Sequence, residues 1–289
     1  MTTERRCYLL WSLVIALWAT TVFADLPAER LAEAWREYGF QAFGQADRLF
    51  ESVEEAEQAT VEDRFQARLG RALIVHNQMP GRNPETAISL YEQLLEQTET
   101  DSLRAFIHAR LGDCAAEIRP PDLAVARQQY RVALDLATPG SLLMQETALR
   151  LVTTYMQRPL REDFLKGLET ARSLEADLKG TALSSVLYGL QAELALFVRD
   201  PRAMVRALEL QHEAGIHNTQ IKERVLFQLA RVYEVELGDY ERAVRYYHAL
   251  VDEVPTSQKA YFAGLRAAEL ERGQIVSDIA PPPREGTNE

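Results

Sequence analysis

The fold is decided by one stretch, Leu226–Pro255, which reads LFQLARVYEVELGDYERAVRYYHALVDEVP. Apolar residues recur at three- and four-residue spacing on both sides of Gly238 and Asp239, and a proline closes the stretch. Such spacing places the apolar residues on one face of a helix, and a Gly-Asp pair between two such faces is a turn signal. The stretch is therefore predicted to be a helix hairpin.

The pattern of the first helix recurs along the chain. A leucine followed four positions later by a second core residue occurs at spacings of 38, 42, 40, 39 and 39 residues. The leucines are Leu31, Leu69, Leu111, Leu151, Leu190 and Leu229, and the residues four positions later are Trp35, Leu73, Ala115, Tyr155, Leu194 and Tyr233. A period near 40 residues indicates internal repeats, so six hairpins are predicted.

The second helix of each hairpin repeats a small residue followed by core residues four and seven positions later. The small residues are Ala46, Ala87, Ala126, Gly167, Ala203 and Ala243. They are followed by Phe50, Tyr91, Tyr130, Ala171, Ala207 and Tyr247, and then by Val53, Leu94, Ala133, Leu174, Leu210 and Leu250. This spacing forms one stripe, in which a small residue allows close approach of the paired helix.

Helix boundaries agree with this division. Asp122, Asp200 and Asp239 each precede a second helix, where a carboxylate can accept from the free amides of the first turn. Residues 257–272 predict one more helix, which we expect to cover the end of the stack with a polar outer face.

The last hairpin resembles the tetratricopeptide repeat, through Leu229 and Ala230 on its first helix and Ala243 and Tyr247 on its second. The resemblance implies an all-α, right-handed α-solenoid of about six helix hairpins plus a C-terminal capping helix. That repeat has ~34 residues, with about 13 positions from leucine to small residue. Only the pair Leu190 and Ala203 meets this spacing; the others use 14 to 18, so another helical solenoid of ~40-residue repeats stays an alternative.

The N-terminal 24 residues resemble a secretory signal peptide. Two arginines precede the apolar run from Tyr8 to Ala19, and Ala24 ends a segment of small and apolar residues before Asp25. The predicted domains are a signal peptide at 1–24, cleaved after Ala24, a repeat domain at 25–273, and a disordered Pro-rich tail at 274–289. We expect an exported, periplasmic protein with no transmembrane span in the mature chain; an uncleaved anchor is the alternative.

Charge and cysteine content narrow the function classes. The net charge of −11 argues against nonspecific nucleic-acid binding, which requires clustered cations. Cys7 belongs to the leader, so Cys114 is the one cysteine of the predicted mature chain. It occupies a helix position that favours a small apolar residue, which predicts a buried, inert thiol rather than a nucleophile.

The sequence carries no known catalytic or metal-binding signature. It has neither a GxSxG elbow, nor a glycine-lysine phosphate loop, nor a paired-cysteine metal pattern. His212 and His217 suggest a zinc-protease helix, but five positions separate them by about 140° around a helix. We therefore expect no enzyme activity, no metal and no cofactor.

The tetratricopeptide resemblance implies that the first helices line a concave groove. By position relative to the leucines, the groove residues would be Arg64, Arg71, Phe106, Asp113, Tyr188, Arg224, Phe227 and Arg231. Aromatic and arginine side chains often anchor protein interfaces, so the expected partner is a protein or peptide of unknown identity. The function predicted is an adaptor or scaffold of the cell envelope. A cell-wall-acting enzyme and a structural subunit of an envelope complex are alternatives, and the oligomeric state is left open.

Overall fold

The computed structural model describes residues 26–78 and 81–274. Fourteen α-helices and one π-helical segment form the regular structure of these residues. The helices are α1 (Pro27–Gly39), α2 (Phe43–Glu55), α3 (Val61–Asn77), α4 (Pro84–Leu95), α5 (Asp101–Glu117), α6 (Leu123–Leu136), α7 (Leu142–Thr154), α8 (Arg161–Ser173), α9 (Glu175–Leu178), α10 (Ser184–Val198), α11 (Pro201–Glu213), α12 (Thr219–Arg231), α13 (Tyr240–Glu253) and α14 (Gln258–Glu271). The predicted leader, and the predicted tail beyond Gln274, lie outside the described residues.

The predicted all-α repeat fold is confirmed. Six hairpins follow one another in the described chain: α1 with α2, α3 with α4, α5 with α6, α7 with α8, α10 with α11, and α12 with α13. The predicted final helix is α14, and the short α9 lies between the fourth and fifth hairpins. The described residues form two compact units, which divide between Leu136 and Ala137. None of the described helices has the length and apolar content needed to cross a bilayer.

The core follows the stripe predicted for the second helices. All six small residues and all six residues four positions later are buried. Two of the residues seven positions later are only half-buried: Leu174, directly after α8, and Leu210 in α11. On the first helices, Leu31 and Leu190 are also half-buried; in α1 the fully buried residue is Ala34.

Close packing explains two glycines of the first helices. A methyl group at Gly70 would lie 2.3 Å from the Phe50 ring, and one at Gly112 would lie 2.6 Å from the Tyr130 ring. Both rings are buried and belong to the second-helix stripe. Interiors are packed too densely for such an overlap, so the glycines make room for the rings.

The last hairpin contains a π-helical segment, Val232–Leu237, at the end of its first helix. A π turn holds one more residue than an α turn. This extra residue accounts for the spacing of 14 between Leu229 and Ala243, one more than in the family. The hairpin ends its first helix at Gly238, whose φ of 67° is left-handed.

The aspartates predicted to begin second helices do so. The side chain of Asp122 accepts from the amide of Val125 at 3.0 Å. Asp200 and Asp239 make the equivalent bonds three positions ahead, at 2.9 and 3.1 Å. Each bond satisfies an amide that the first helical turn leaves free.

The final helix differs from expectation on its exposed side. Its small residues Ala260, Ala263 and Ala267 are buried. Tyr261 and Leu265, with Phe262, are 50–67% exposed. The expectation of a polar outer face is therefore wrong for this part of α14, because the helix packs through its alanines and leaves its large apolar side chains outside.

Acidification is expected to destabilise the first unit through His76. This residue is 3% exposed; its Nδ1 lies 3.4 Å from the Tyr91 hydroxyl and its Nε2 lies 3.5 Å from a Glu117 oxygen. Burial lowers the pKa of His76 from its ordinary value, against the opposing effect of Glu117. The stability that depends on neutral His76 is complete above the unfolded pKa of about 6.5 and is lost as pH falls below it.

Urea unfolding between pH 7.5 and 5 measures this effect. The His76→Gln variant is expected to show a weaker fall in unfolding free energy over this range, and His217→Gln at an exposed position serves as the control. An equal fall in both variants would contradict the assignment to His76.

Candidate functional site

Two arginines that were predicted to line the groove make contacts within the first unit instead. The Arg64 side chain donates to the carbonyl of Ala56 at 3.0 Å. Arg71 pairs with three carboxylates of α2, those of Asp47 at 3.1 Å, Glu51 at 3.4 Å and Glu54 at 3.1 Å. Burial raises the pKa of Glu54, but its bonds to Arg68 and Arg71 outweigh this effect and lower it overall. The acidic α2 segment therefore engages the arginine that the sequence assigns to a partner.

The other two predicted residues of this unit are also engaged. Phe106 is half-buried against the core, with the Arg110 guanidinium 5.2 Å from its ring centre. The Asp113 carboxylate accepts from the Tyr130 hydroxyl at 2.8 Å and pairs with Arg110 at 3.0 Å. Both side chains have structural partners in α5 and α6.

Three of the four predicted residues of the second unit likewise pack within the protein. Tyr188 is only 6% exposed. Phe227 is half-buried, 6.3 Å from the Tyr247 ring, and the Lys259 amine lies 5.8 Å from its ring centre. Arg231 lies 3.8 Å from the carboxylate of Glu234. Each of these side chains is therefore buried or has a contact within the protein.

Arg224 is different, because it is exposed and has no hydrogen-bond or ion-pair partner among the described residues. It lines a cavity of about 360 Å³ formed by α10, α11 and α12. The buried apolar residues of this cavity are Ala192, Met204, Leu208 and Val225. Leu196 and Phe197, which are 52% and 51% exposed, also line it, as does Glu193.

A polar side chain also lines the cavity from α11. Gln211 is 6% exposed, and its carboxamide has no hydrogen-bond partner among the described residues. A methyl group at Gly189 would lie 2.9 Å from Gln211 Nε2, so the glycine gives the carboxamide its space. The site thus combines apolar walls, a carboxamide without a hydrogen-bond partner in the described chain, and a free guanidinium.

The cysteine and the two histidines considered for catalysis or metal binding lie outside this cavity. Cys114 is fully buried, and burial raises the pKa of its thiol to about 12, as expected for an inert cysteine. His212 pairs with Glu253 at 3.3 Å, and His217 lies exposed beyond the end of α11. The described residues contain no group of three or more side chains placed to hold a metal ion.

Comparison with known proteins identifies the architecture. Residues 224–257 match the family model of the tetratricopeptide repeat. The sequence thus matches one tetratricopeptide repeat, and the fold of the described residues is a helical repeat similar to that of tetratricopeptide-repeat proteins. The match begins within α12 and includes the π segment and all of α13, where the resemblance in sequence is sharpest. No curated protein matches the chain in sequence.

Solved structures support the tetratricopeptide-like fold. The C-terminal part of a TPR repeat-containing protein from Cytophaga hutchinsonii has a TM-score of 0.61 and 13% identity, over 90% of this chain and 95% of that chain. PilF of Pseudomonas aeruginosa has a TM-score of 0.51 and 16% identity, over 84% of this chain and 98% of that one. At these identities the similarity concerns the fold alone. Tetratricopeptide-like repeat proteins generally mediate protein–protein interaction.

The sequence predicted one residue of the α10–α11–α12 cavity, Arg224, and missed the others. Leu196 and Phe197 stand outside the repeated core positions, which was a usable signal, because apolar residues there have no assigned place in the hairpin. Gln211 follows the small residue Ala203 by eight positions, beyond the stripe that the pattern covered. Its lack of a partner is visible only in three dimensions.

Proposed function

We propose that this chain is an exported, noncatalytic adaptor or scaffold of the cell envelope, which holds a protein partner on the surface around the α10–α11–α12 cavity. The observation that carries the proposal is the unpaired Arg224 beside exposed Leu196 and Phe197. Arginine and aromatic side chains contribute strongly to binding energy at protein interfaces. The mechanism is equilibrium binding to a largely preformed surface.

Support for export comes from the N-terminal sequence, where a basic start and an apolar run precede Ala24. N-terminal sequencing of the protein from a periplasmic fraction is expected to begin at Asp25. Recovery of the full-length chain from the cytoplasm would contradict this part of the proposal.

Photocrosslinking in the cell tests the binding surface. A benzoylphenylalanine at position 196 is expected to give a discrete crosslinked product, because this side chain is at the cavity rim. The matched control is position 160, where the native leucine is 55% exposed in the same unit but does not line the cavity.

The Arg224→Glu variant is expected to reduce the product at position 196 at least tenfold, since the substitution reverses the charge at the rim. Identical products from both positions, unchanged in Arg224→Glu, would contradict the proposal. Assembly of an envelope complex that is insensitive to Arg224 would favour a structural subunit. Hydrolysis of peptidoglycan that is lost on a single glutamate substitution would favour the enzyme alternative.

A further inference from the structure

The final helix α14 carries an apolar strip on its exposed side, formed by Tyr261, Phe262 and Leu265. These side chains are 67%, 55% and 50% exposed, and the two aromatic rings lie 5.7 Å apart at an angle of 70°. The four-residue spacing of Tyr261 and Leu265 places them one turn apart on the same side of the helix. Large apolar side chains grouped in this way mark a surface that another segment or molecule covers.

The chain that follows α14 supplies an apolar segment. Residues 275–283 read IVSDIAPPP, in which seven of nine residues are apolar, whereas residues 284–289 are polar or charged apart from one glycine. The three prolines oppose a second helix of the kind that follows in each hairpin, because proline lacks an amide hydrogen and clashes with the preceding turn. They favour an extended polyproline conformation instead.

The end of α14 turns the chain off the helix axis. Gly273 has a left-handed φ of 72°; its amide donates to the Leu270 carbonyl at 2.9 Å, and the Gln274 amide donates to the Glu269 carbonyl at 3.0 Å. This is the hydrogen-bond pattern of the Schellman motif. In the sixth hairpin a glycine of the same handedness, Gly238, precedes the return of the chain alongside its first helix. An equivalent return after α14 would run along that helix.

The length of the segment matches the distance to the apolar strip. Leu265 and Tyr261 precede Gln274 by nine and 13 residues, which is about 14 and 20 Å along a helix at 1.5 Å per residue. An extended chain advances about 3.1–3.3 Å per residue, so Ile279 reaches about 16 Å from Gln274 and the three prolines about 22–29 Å. The apolar residues of the segment therefore come level with the apolar strip.

We propose that residues 275–283 run back along α14, with Ile279 against Leu265 and the three prolines on the rings of Tyr261 and Phe262. Grooves lined by aromatic rings are the surfaces that bind polyproline segments. The proposal concerns the end of the repeat stack and is independent of the α10–α11–α12 cavity. It gives a place to most of the segment for which the sequence predicts disorder.

A second copy of the chain fits the apolar strip less well. A stable interface takes about 20–30 residues from each partner, whereas α14 exposes three large apolar side chains. Each copy carries a net charge of −11, which opposes self-association. The segment 275–283 directly follows Gln274, and a short tether gives a segment an effective concentration in the millimolar range. The chain's own segment is therefore the favoured occupant.

Cysteine reactivity at position 268 tests the proposal. Ala268 is half-buried on the same side of α14, seven residues after Tyr261, so Ala268→Cys leaves the apolar strip intact. The substitution is made together with Cys7→Ser, so that the fully buried Cys114 is the one other thiol. Reaction with a maleimide is expected to be at least fivefold slower in the full chain than in a chain that stops after Gln274.

Replacing Ile279 and the three prolines by serine in the full chain is expected to restore the fast reaction. This variant keeps the length of the chain, so it also tests the proposal if the truncated chain folds poorly, which circular dichroism and melting temperature reveal. Ala176→Cys is the matched control, since Ala176 is exposed in the same unit outside α14, and it is expected to react equally in all three backgrounds.

Equal rates at position 268 in the full and truncated chains would overturn the proposal. Protection that persists in the serine variant would do the same, because it would not depend on the apolar residues of the segment. Protection that rises with protein concentration, together with a doubled mass in sedimentation equilibrium, would assign the strip to a second copy and also overturn the proposal.

Discussion

Replacing Glu234 with alanine is expected to lower the free energy of unfolding by about 3 kcal/mol, the order found when a buried ion pair loses one partner. The Glu234 carboxylate is 6% exposed. It accepts from the Tyr247 hydroxyl at 2.6 Å and from two nitrogens of Arg266 at 2.9 and 2.7 Å. The substitution leaves the half-buried guanidinium of Arg266 with Glu269 as its remaining ion-pair partner among the described residues. The residue therefore ties together three elements: the π segment, α13 and α14.

Urea unfolding followed by circular dichroism measures this loss. Glu236→Ala is the matched control, because Glu236 is exposed two residues further along the same segment, and its change is expected to stay within about 0.5 kcal/mol. Tyr247→Phe removes one hydrogen bond and is expected to cost about 1 kcal/mol. Equal effects of the Glu234 and Glu236 substitutions would contradict the role assigned to the buried carboxylate.

Gly70→Ala is expected to destabilise the first unit by about 1 to 2 kcal/mol. Its new methyl group would lie 2.3–2.6 Å from three ring carbons of Phe50, which is fully buried. Overpacking of this kind costs typically 1–3 kcal/mol, of which the better helix propensity of alanine recovers up to about 1 kcal/mol.

Thermal and urea unfolding compare Gly70→Ala with Gly264→Ala. At Gly264 the nearest atom to the new methyl group is Val251 Cγ2 at 3.6 Å, an ordinary contact. That variant is expected to be neutral or more stable by up to about 1 kcal/mol. Adding Phe50→Leu to Gly70→Ala is expected to cost less than the sum of the two single changes, because the smaller side chain makes room. Strict additivity would show that the two positions do not share one packing site.

The hairpin fold was predictable because its determinants are local and repeated. The stripe through Ala243, Tyr247 and Leu250 needs only helical spacing, and its repetition marks six hairpins without knowledge of their arrangement. Which residue of a helix faces the core was less predictable where the repeated pattern is weak. In α1 a leucine and an alanine compete for the core, and packing places Ala34 there rather than Leu31.

The proposed binding surface was much less predictable, because the exposure of a side chain depends on which residues pack around it. Arg71 occupies a groove position by repeat numbering, yet three carboxylates of the preceding helix reach it. Tyr188 fits an anchor residue by type, but its helix turns it into the interior. Arg224 stays free because none of its described neighbours offers a carboxylate within ion-pair distance, a fact that residue spacing alone does not contain.

The π segment bears on how such a chain can change in evolution. The surplus residue between Leu229 and Ala243 is taken up within one wide turn, and Tyr233 and Tyr247 on either side of the turn are both buried. An insertion of this size is thus confined to the repeat in which it occurs, and the downstream helix keeps its phase. Repeat length can then drift by single-residue insertions and deletions while the surfaces that join one hairpin to the next are inherited unchanged.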